Sequence, residues 1–155
     1  MVRKTVFSLD WTLWLNYHCP VLTPYSSQSL AVLLSLLPDL EPHVDIEGEH
    51  FEIKVASPAG WDLWVSSANE EITVGFAEYH THFGWHQGDP KDDAADGADF
   101  IRALRSGELV IAMWFTGTEY AGSRPIAATQ TPLPQTWLDR WWRRKQTLVV
   151  KKWAE

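Results

Sequence analysis

The chain has 155 residues, a formal net charge of -7 and a single cysteine, Cys19. This length suits one domain with a sizeable core, the lone cysteine excludes an intrachain disulfide, and the negative charge disfavours general binding to nucleic acid. The longest apolar run, residues 30–37, is too short to span a bilayer, so we expect a cytoplasmic single domain over residues 1–155 with neither nucleic acid nor membrane as a partner.

The first predicted elements are an ambiguous strand and an amphipathic helix. Residues 6–17 alternate loosely between apolar and polar types, which is compatible with an edge strand. Ser26 or Ser27 is a candidate N-cap for the helix, and Pro38 is its expected end. Its apolar positions follow the i, i+3, i+4, i+7 spacing of a buried helix face, namely Leu30, Leu33, Leu34 and Leu37.

In the middle of the chain, apolar residues recur at every second position. Apolar and polar or small residues alternate in residues 51–55 and 61–65, on either side of a Ser-Pro-Ala-Gly turn. The same alternation occurs in residues 72–76, after a second turn. The three segments predict an antiparallel meander.

A second helix and a second group of strands follow. Asp89-Pro90 opens an acidic loop, Asp92 or Asp93 is the expected N-cap, and Gly107 ends the helix. Residues 109–115 predict a strand covered on both faces, paired with residues 118–123. A basic helix over 137–145 and a strand over 147–153 complete an α+β domain with a mainly antiparallel sheet of five to six strands and two to three helices.

The run from Glu78 to His86 contains three histidines. His80 and His82, two apart on an extended chain, project from one face and are candidate metal ligands, with His86 or Glu78 as a third. The His-Glu-x-x-His spacing of helical zinc sites is absent. Two other interpretations stay open, one in which these side chains simply pack at a strand end and one in which they contact a protein partner.

Charge is distributed unevenly along the chain. Two acidic stretches occupy residues 39–52 and 89–99, and either forms a solvated surface or steers a basic protein partner. The last 20 residues are basic and contain four of the ten tryptophans. There we expect tryptophans packed inward under arginine and lysine stems rather than a nucleic-acid surface.

The segment from Glu71 to Phe83, EITVGFAEYHTHF, is followed by an acidic helix, Phe100-Ile101, Gly107-Glu108 and a hydrophobic strand. This arrangement, over residues 51–123, resembles small immunity proteins encoded beside bacterial polymorphic or contact-dependent toxins. The resemblance implies a protein that binds a cognate toxin domain, without a cofactor, and occludes its active site or an essential surface.

We therefore expect a toxin inhibitor rather than an enzyme, with no catalytic residues, no bound metal and no cofactor. Its partner is a toxin domain that is itself basic, and its expected contact residues are Tyr79, His80, His82, Trp85, Asp89, Asp92, Asp93 and Asp96. Two alternatives remain: a metal-dependent hydrolase that uses His80 and His82, and a small-ligand or carbohydrate-binding module that uses exposed tryptophans.

Overall fold

A computed structural model describes residues 21–84, 88–130 and 145–154. These residues form two α-helices and eight strands in two antiparallel sheets. The elements are α1 (Pro24–Leu36), a 3₁₀ helix (Pro38–His43), β1 (Val44–Glu47), β2 (His50–Ala56), β3 (Asp62–Ser66), a 3₁₀ turn (Ala68–Glu70), β4 (Ile72–Phe76), β5 (Tyr79–Phe83), α2 (Pro90–Ser106), β6 (Leu109–Thr116), β7 (Glu119–Ala127) and β8 (Gln146–Lys151).

The expected α+β class with antiparallel strands is confirmed, and the strands divide between two sheets. Strands β1 to β5 follow one another as a five-stranded meander, while β6 lies between β7 and β8 in a three-stranded sheet. The sequence prediction treated these as one sheet of five to six strands. The additional strands include β1, whose apolar alternation is limited to Val44 and Ile46 in four residues.

The main core lies between the inner face of the meander and the two helices. The inner face consists of alternate residues that are almost completely buried, namely Phe51, Ile53, Leu63, Val65, Ile72, Val74 and Phe76. Helix α1 packs against α2 and β2, and α2 also packs against β4, β5 and β6. The β6 residues Ile111 and Met113 belong to the same core, so both sheets share it.

Strand β6 is buried on both faces, as its unbroken apolar run predicts. Its other face forms a second buried cluster of Val110, Ala112 and Trp114 with Ile126 of β7.

Cationic side chains lie over some tryptophans of the described residues. Lys151 Nζ of β8 lies 3.2 Å from the centre of the Trp61 ring, and the Arg105 guanidinium lies over the Trp153 ring. Both contacts are cation–π interactions between different segments of the chain. The predicted basic helix over 137–145, apart from Lys145, and the possible strand over 6–17 lie outside the described residues.

Both helices begin earlier than the sequence prediction placed them. Thr23 is the N-cap of α1, and its side chain accepts a hydrogen bond from the Ser26 amide. Asp89 is the N-cap of α2. The expected caps at Ser26 or Ser27 and at Asp92 or Asp93 are therefore wrong. In each helix proline occupies the first helical position, where its missing N–H leaves no hydrogen bond unmade.

No helix in the described parts of the chain is long and apolar enough to cross a membrane.

Candidate functional site

The face of the meander turned away from the helices is the main candidate for a binding surface. We call it the outer face. Strand register places thirteen residues on it, namely Asp45, Glu47, His50, Glu52, Lys54, Ala56, Asp62, Trp64, Ser66, Thr73, Gly75, His80 and His82. Because α1 and α2 both lie on the inner side, neither helix covers this face.

Trp64 lies near the centre of the outer face. It is opposite Gly75 in the β3–β4 register, and a β-carbon on Gly75 would overlap the indole ring. The absence of a side chain at Gly75 therefore lets the indole lie over the neighbouring strand. The result is a partly exposed, rigidly placed aromatic ring outside the hydrophobic core.

The two histidines of β5 lie beside this ring. The register pairs His80 with Gly75 and His82 with Thr73, so both project from the outer face as predicted. The His80 ring centre is 6.3 Å from that of Trp64 and 5.2 Å from that of His82. Trp64, His80 and His82 thus form a contiguous aromatic group that extends from the central strand β3 to the edge strand β5.

Glu71 fixes the orientation of His82. Its carboxylate oxygen lies 2.9 Å from Nδ1 of His82, and the Thr73 hydroxyl lies 3.0 Å from the same nitrogen. An Nδ1–H donated to the carboxylate directs Nε2 away from Glu71, as in histidines positioned by a carboxylate. Among the described residues no three His, Cys, Asp or Glu side chains converge on a point suited to a metal ion; the candidate ligand His86 lies outside them.

Carboxylates surround the aromatic group. Asp45 and Glu52 are directly opposite each other across β1 and β2, a like-charge pairing that disfavours the strand pair. Lys54 compensates in part, because its ammonium group donates to Glu52 at 2.7 Å. Asp62 is exposed on the same face, so the surface is acidic around its aromatic centre.

The expected contact residues do not form one continuous surface. Tyr79 faces inward, with its ring centre 6.1 Å from that of Phe100 on α2. Asp89, Asp92 and Asp96 are exposed on or beside α2, which packs on the inner face. The meander therefore separates these carboxylates from His80 and His82, and Trp85 lies outside the described residues.

Asp93 is not part of an exposed surface. It is only 7% exposed, and its carboxylate accepts a 2.7 Å hydrogen bond from the Tyr25 hydroxyl. A β-carbon on either Gly84 or Gly88 would overlap the same carboxylate. Asp93 thus joins α1, α2 and the segment after β5, a structural role that its place in an acidic run does not indicate.

The Tyr25–Asp93 contact predicts a pH dependence of stability. Burial, and secondly the hydrogen bond to Asp93, raise the pKa of Tyr25 well above its ordinary value of 10.0. The unfolded chain loses this proton first, so the stabilisation is full below about pH 10 and is lost as pH rises above it. Urea unfolding at about pH 9 and pH 11 measures the free energy of unfolding at each pH. Its decrease between the two should be smaller for Tyr25→Phe than for the unsubstituted protein.

The matched control for that comparison is Tyr120→Phe, at a tyrosine that is 49% exposed. It should retain the alkaline loss of stability. An equally steep loss in Tyr25→Phe would contradict the assignment.

Comparison of the chain with protein-family models, with curated proteins and with solved structures found no significant match in any of the three.

Proposed function

We propose that this protein is an immunity protein, which binds a cognate bacterial toxin domain in the cytoplasm and neutralises it by occlusion. We further propose that the outer face of the meander is the contact surface. The resemblance in residues 51–123 suggests the class, and the geometry of the outer face supports the surface.

The observation that carries the proposal is the position of Trp64. Protein interfaces depend on a few rigid aromatic anchors surrounded by polar groups. Trp64 is partly exposed, is held against Gly75 and has His80 next to it. An indole fixed in this way loses little conformational freedom when a partner covers it.

The charges of the outer face indicate the chemistry of the partner. Asp45 and Glu52 are kept opposite each other despite their mutual repulsion, and a cationic group from a partner would relieve that repulsion. Opposite potentials on two surfaces also accelerate their encounter. We therefore propose a basic toxin domain as the partner.

The function is tested by capture followed by co-expression. The tagged protein is used to isolate its partner from the native host, and the captured domain is identified by mass spectrometry. Expression of that domain alone should arrest growth, and co-expression of this protein should restore growth. A captured domain that is harmless alone, or whose toxicity persists on co-expression, would refute the immunity function.

Charge reversal distinguishes the outer face from the acidic surface of α2. At low ionic strength, Asp45→Lys with Asp62→Lys should lower the association rate constant for the toxin domain about tenfold. Asp92→Lys with Asp96→Lys changes the net charge equally and should have a much smaller effect. Stopped-flow or surface-based kinetics measures both, and a larger effect of the α2 pair would move the interface to α2.

A metal-dependent hydrolase is the second candidate, because Glu71 orients His82 as carboxylates orient metal-binding histidines. It predicts stoichiometric zinc or iron in the purified protein, and loss of that metal in His80→Ala. Near-equimolar capture of a toxin domain without metal would favour the immunity function instead.

A further inference from the structure

A polar pocket opens at the end of the meander where α1 begins. The first turn of α1, the β1–β2 turn and the β3–β4 turn line a half-open pocket of about 430 Å³, a volume within the range of ligand-binding pockets. Glu70 lines this pocket, and the next residue, Glu71, contacts His82 of the outer face. The pocket is therefore adjacent to the proposed interface.

The hydroxyl protons in the pocket wall are already used within the protein. The Thr23 and Ser67 hydroxyls both donate to Ser26 Oγ, at 3.0 and 2.9 Å. The Ser26 hydroxyl donates in turn to the carbonyl of Ser67 at 3.5 Å. Ser26 Oγ accepts two hydrogen bonds and has no lone pair left. The Thr23 and Ser67 hydroxyls accept from the Ser26 and Phe51 amides, so each keeps one lone pair for a ligand.

Three backbone donors in the wall are committed as well. The Thr23 amide donates to the carbonyl of Glu49, and the Ser67 amide to that of Phe51. The Ser26 amide donates to the Thr23 side chain, which satisfies one of the amides at the start of α1. The side chains of His50 and Asn69 also line the pocket, but they share it with the carboxylates of Glu49 and Glu70, which repel an anion.

The charge of the pocket is negative. Glu49 and Glu70 both line it and both are exposed. Within the described parts of the chain, neither carboxylate is in an ion pair, whereas Glu47, Glu52 and Glu71 each have a partner. Two carboxylates without an ion-pair partner among the described residues favour a cation that brings several donors.

We infer that this pocket accepts an arginine side chain of the bound partner, an inference that rests on the proposed function. Guanidinium presents five donors in a fixed plane and bonds two acceptors at once. Glu49, Glu70 and the remaining lone pair of the Thr23 hydroxyl supply acceptors at the rim and wall. The outer face would then bind the surface of the toxin while the pocket holds one basic side chain.

The inference is tested without the toxin, so that its failure is distinguishable from failure of the immunity function. The ¹⁵N-labelled full chain is titrated with N-acetyl-arginine-N-methylamide and followed by ¹H–¹⁵N correlation spectra. We expect saturable shifts at the amides of Glu49, Ser67, Asn69 and Glu70. Glu49→Gln with Glu70→Gln should weaken this binding at least tenfold, whereas Glu41→Gln with Glu119→Gln, at exposed carboxylates elsewhere, should not change it.

The neutral citrulline analogue has nearly the same shape and should produce no saturable shifts. Equal binding of citrulline, shifts located elsewhere, or undiminished binding by the Glu49/Glu70 variant would overturn the inference. Equal binding of the corresponding lysine derivative would overturn the choice of arginine. Unchanged thermal unfolding of both double variants serves as the control for folding.

Discussion

Asp93→Ala is expected to lower the free energy of unfolding by about 3 kcal/mol. The substitution leaves the Tyr25 hydroxyl without its acceptor in a site where Tyr25 is 9% and Asp93 7% exposed. It also removes the group on which Gly84 and Gly88 pack closely. A buried donor that loses its charged acceptor retains the full cost of leaving water, which is why the expected loss exceeds that of an ordinary hydrogen bond.

Urea unfolding measures the effect as a shift in midpoint at constant slope. Asp92→Ala is the matched control, since Asp92 is exposed in the same first turn of α2 and should cost less than about 1 kcal/mol. Asp93→Asn keeps an oxygen acceptor for Tyr25, so its loss of unfolding free energy should lie between those of Asp92→Ala and Asp93→Ala. Equal losses for Asp92→Ala and Asp93→Ala would show that the carboxylate of Asp93 has no special structural role.

The case of Asp93 also explains where sequence patterns mislead. Asp92, Asp93 and Asp96 have the same local appearance within one acidic run, and charge patterning predicts a solvated face. The difference arises from a tyrosine 68 positions away in the chain. Only tertiary structure brings Tyr25 to Asp93, so no local pattern could have distinguished it.

Helix α1 illustrates the same limit. Its leucine spacing predicted the helix correctly, and Leu33 and Leu37 are buried. Ser26 and Ser29 are also buried, at 1% and 0% exposure, because their hydroxyls bond to Ser67 and to the carbonyl of Pro90. Hydropathy treats serine as a surface residue, whereas here hydrogen bonds to distant segments offset the cost of burial.

The meander was predictable because period-two alternation and turn residues both act locally. Segments 51–55, 61–65 and 72–76 coincide closely with β2, β3 and β4. The same alternation correctly placed His80 and His82 on one face. Trp64 could have been identified by continuing that argument across strands, since a glycine at position 75 in the adjacent strand is the signal that a large side chain can lie over it.

Trp64→Ala is expected to weaken binding of the toxin domain by about 2–4 kcal/mol, or about 30- to 1,000-fold in Kd. An interface anchor has this effect because its removal leaves a partner pocket unfilled at the centre of the contact. Trp64 lies outside the hydrophobic core cluster, so stability should change little. Isothermal titration calorimetry with the purified toxin domain measures the affinity, and thermal unfolding measures the stability.

Tyr120→Ala is the matched control, because Tyr120 is an exposed aromatic residue of the other sheet. It should leave the affinity unchanged, and equal losses from both substitutions would exclude a specific role for Trp64.

Gly75→Ala provides a second variant that keeps the indole but displaces it, since the added β-carbon would occupy the space in which the ring lies. If the position of the ring determines recognition, Gly75→Ala should also weaken binding at least tenfold while tryptophan fluorescence reports the displacement. Loss of affinity in Trp64→Ala with full affinity in Gly75→Ala would mean that the partner uses the apolar area of the indole without requiring its fixed orientation. Full affinity in both variants would remove the outer face from the interface and leave the acidic surface of α2, with Asp92 and Asp96, as the surface to test next.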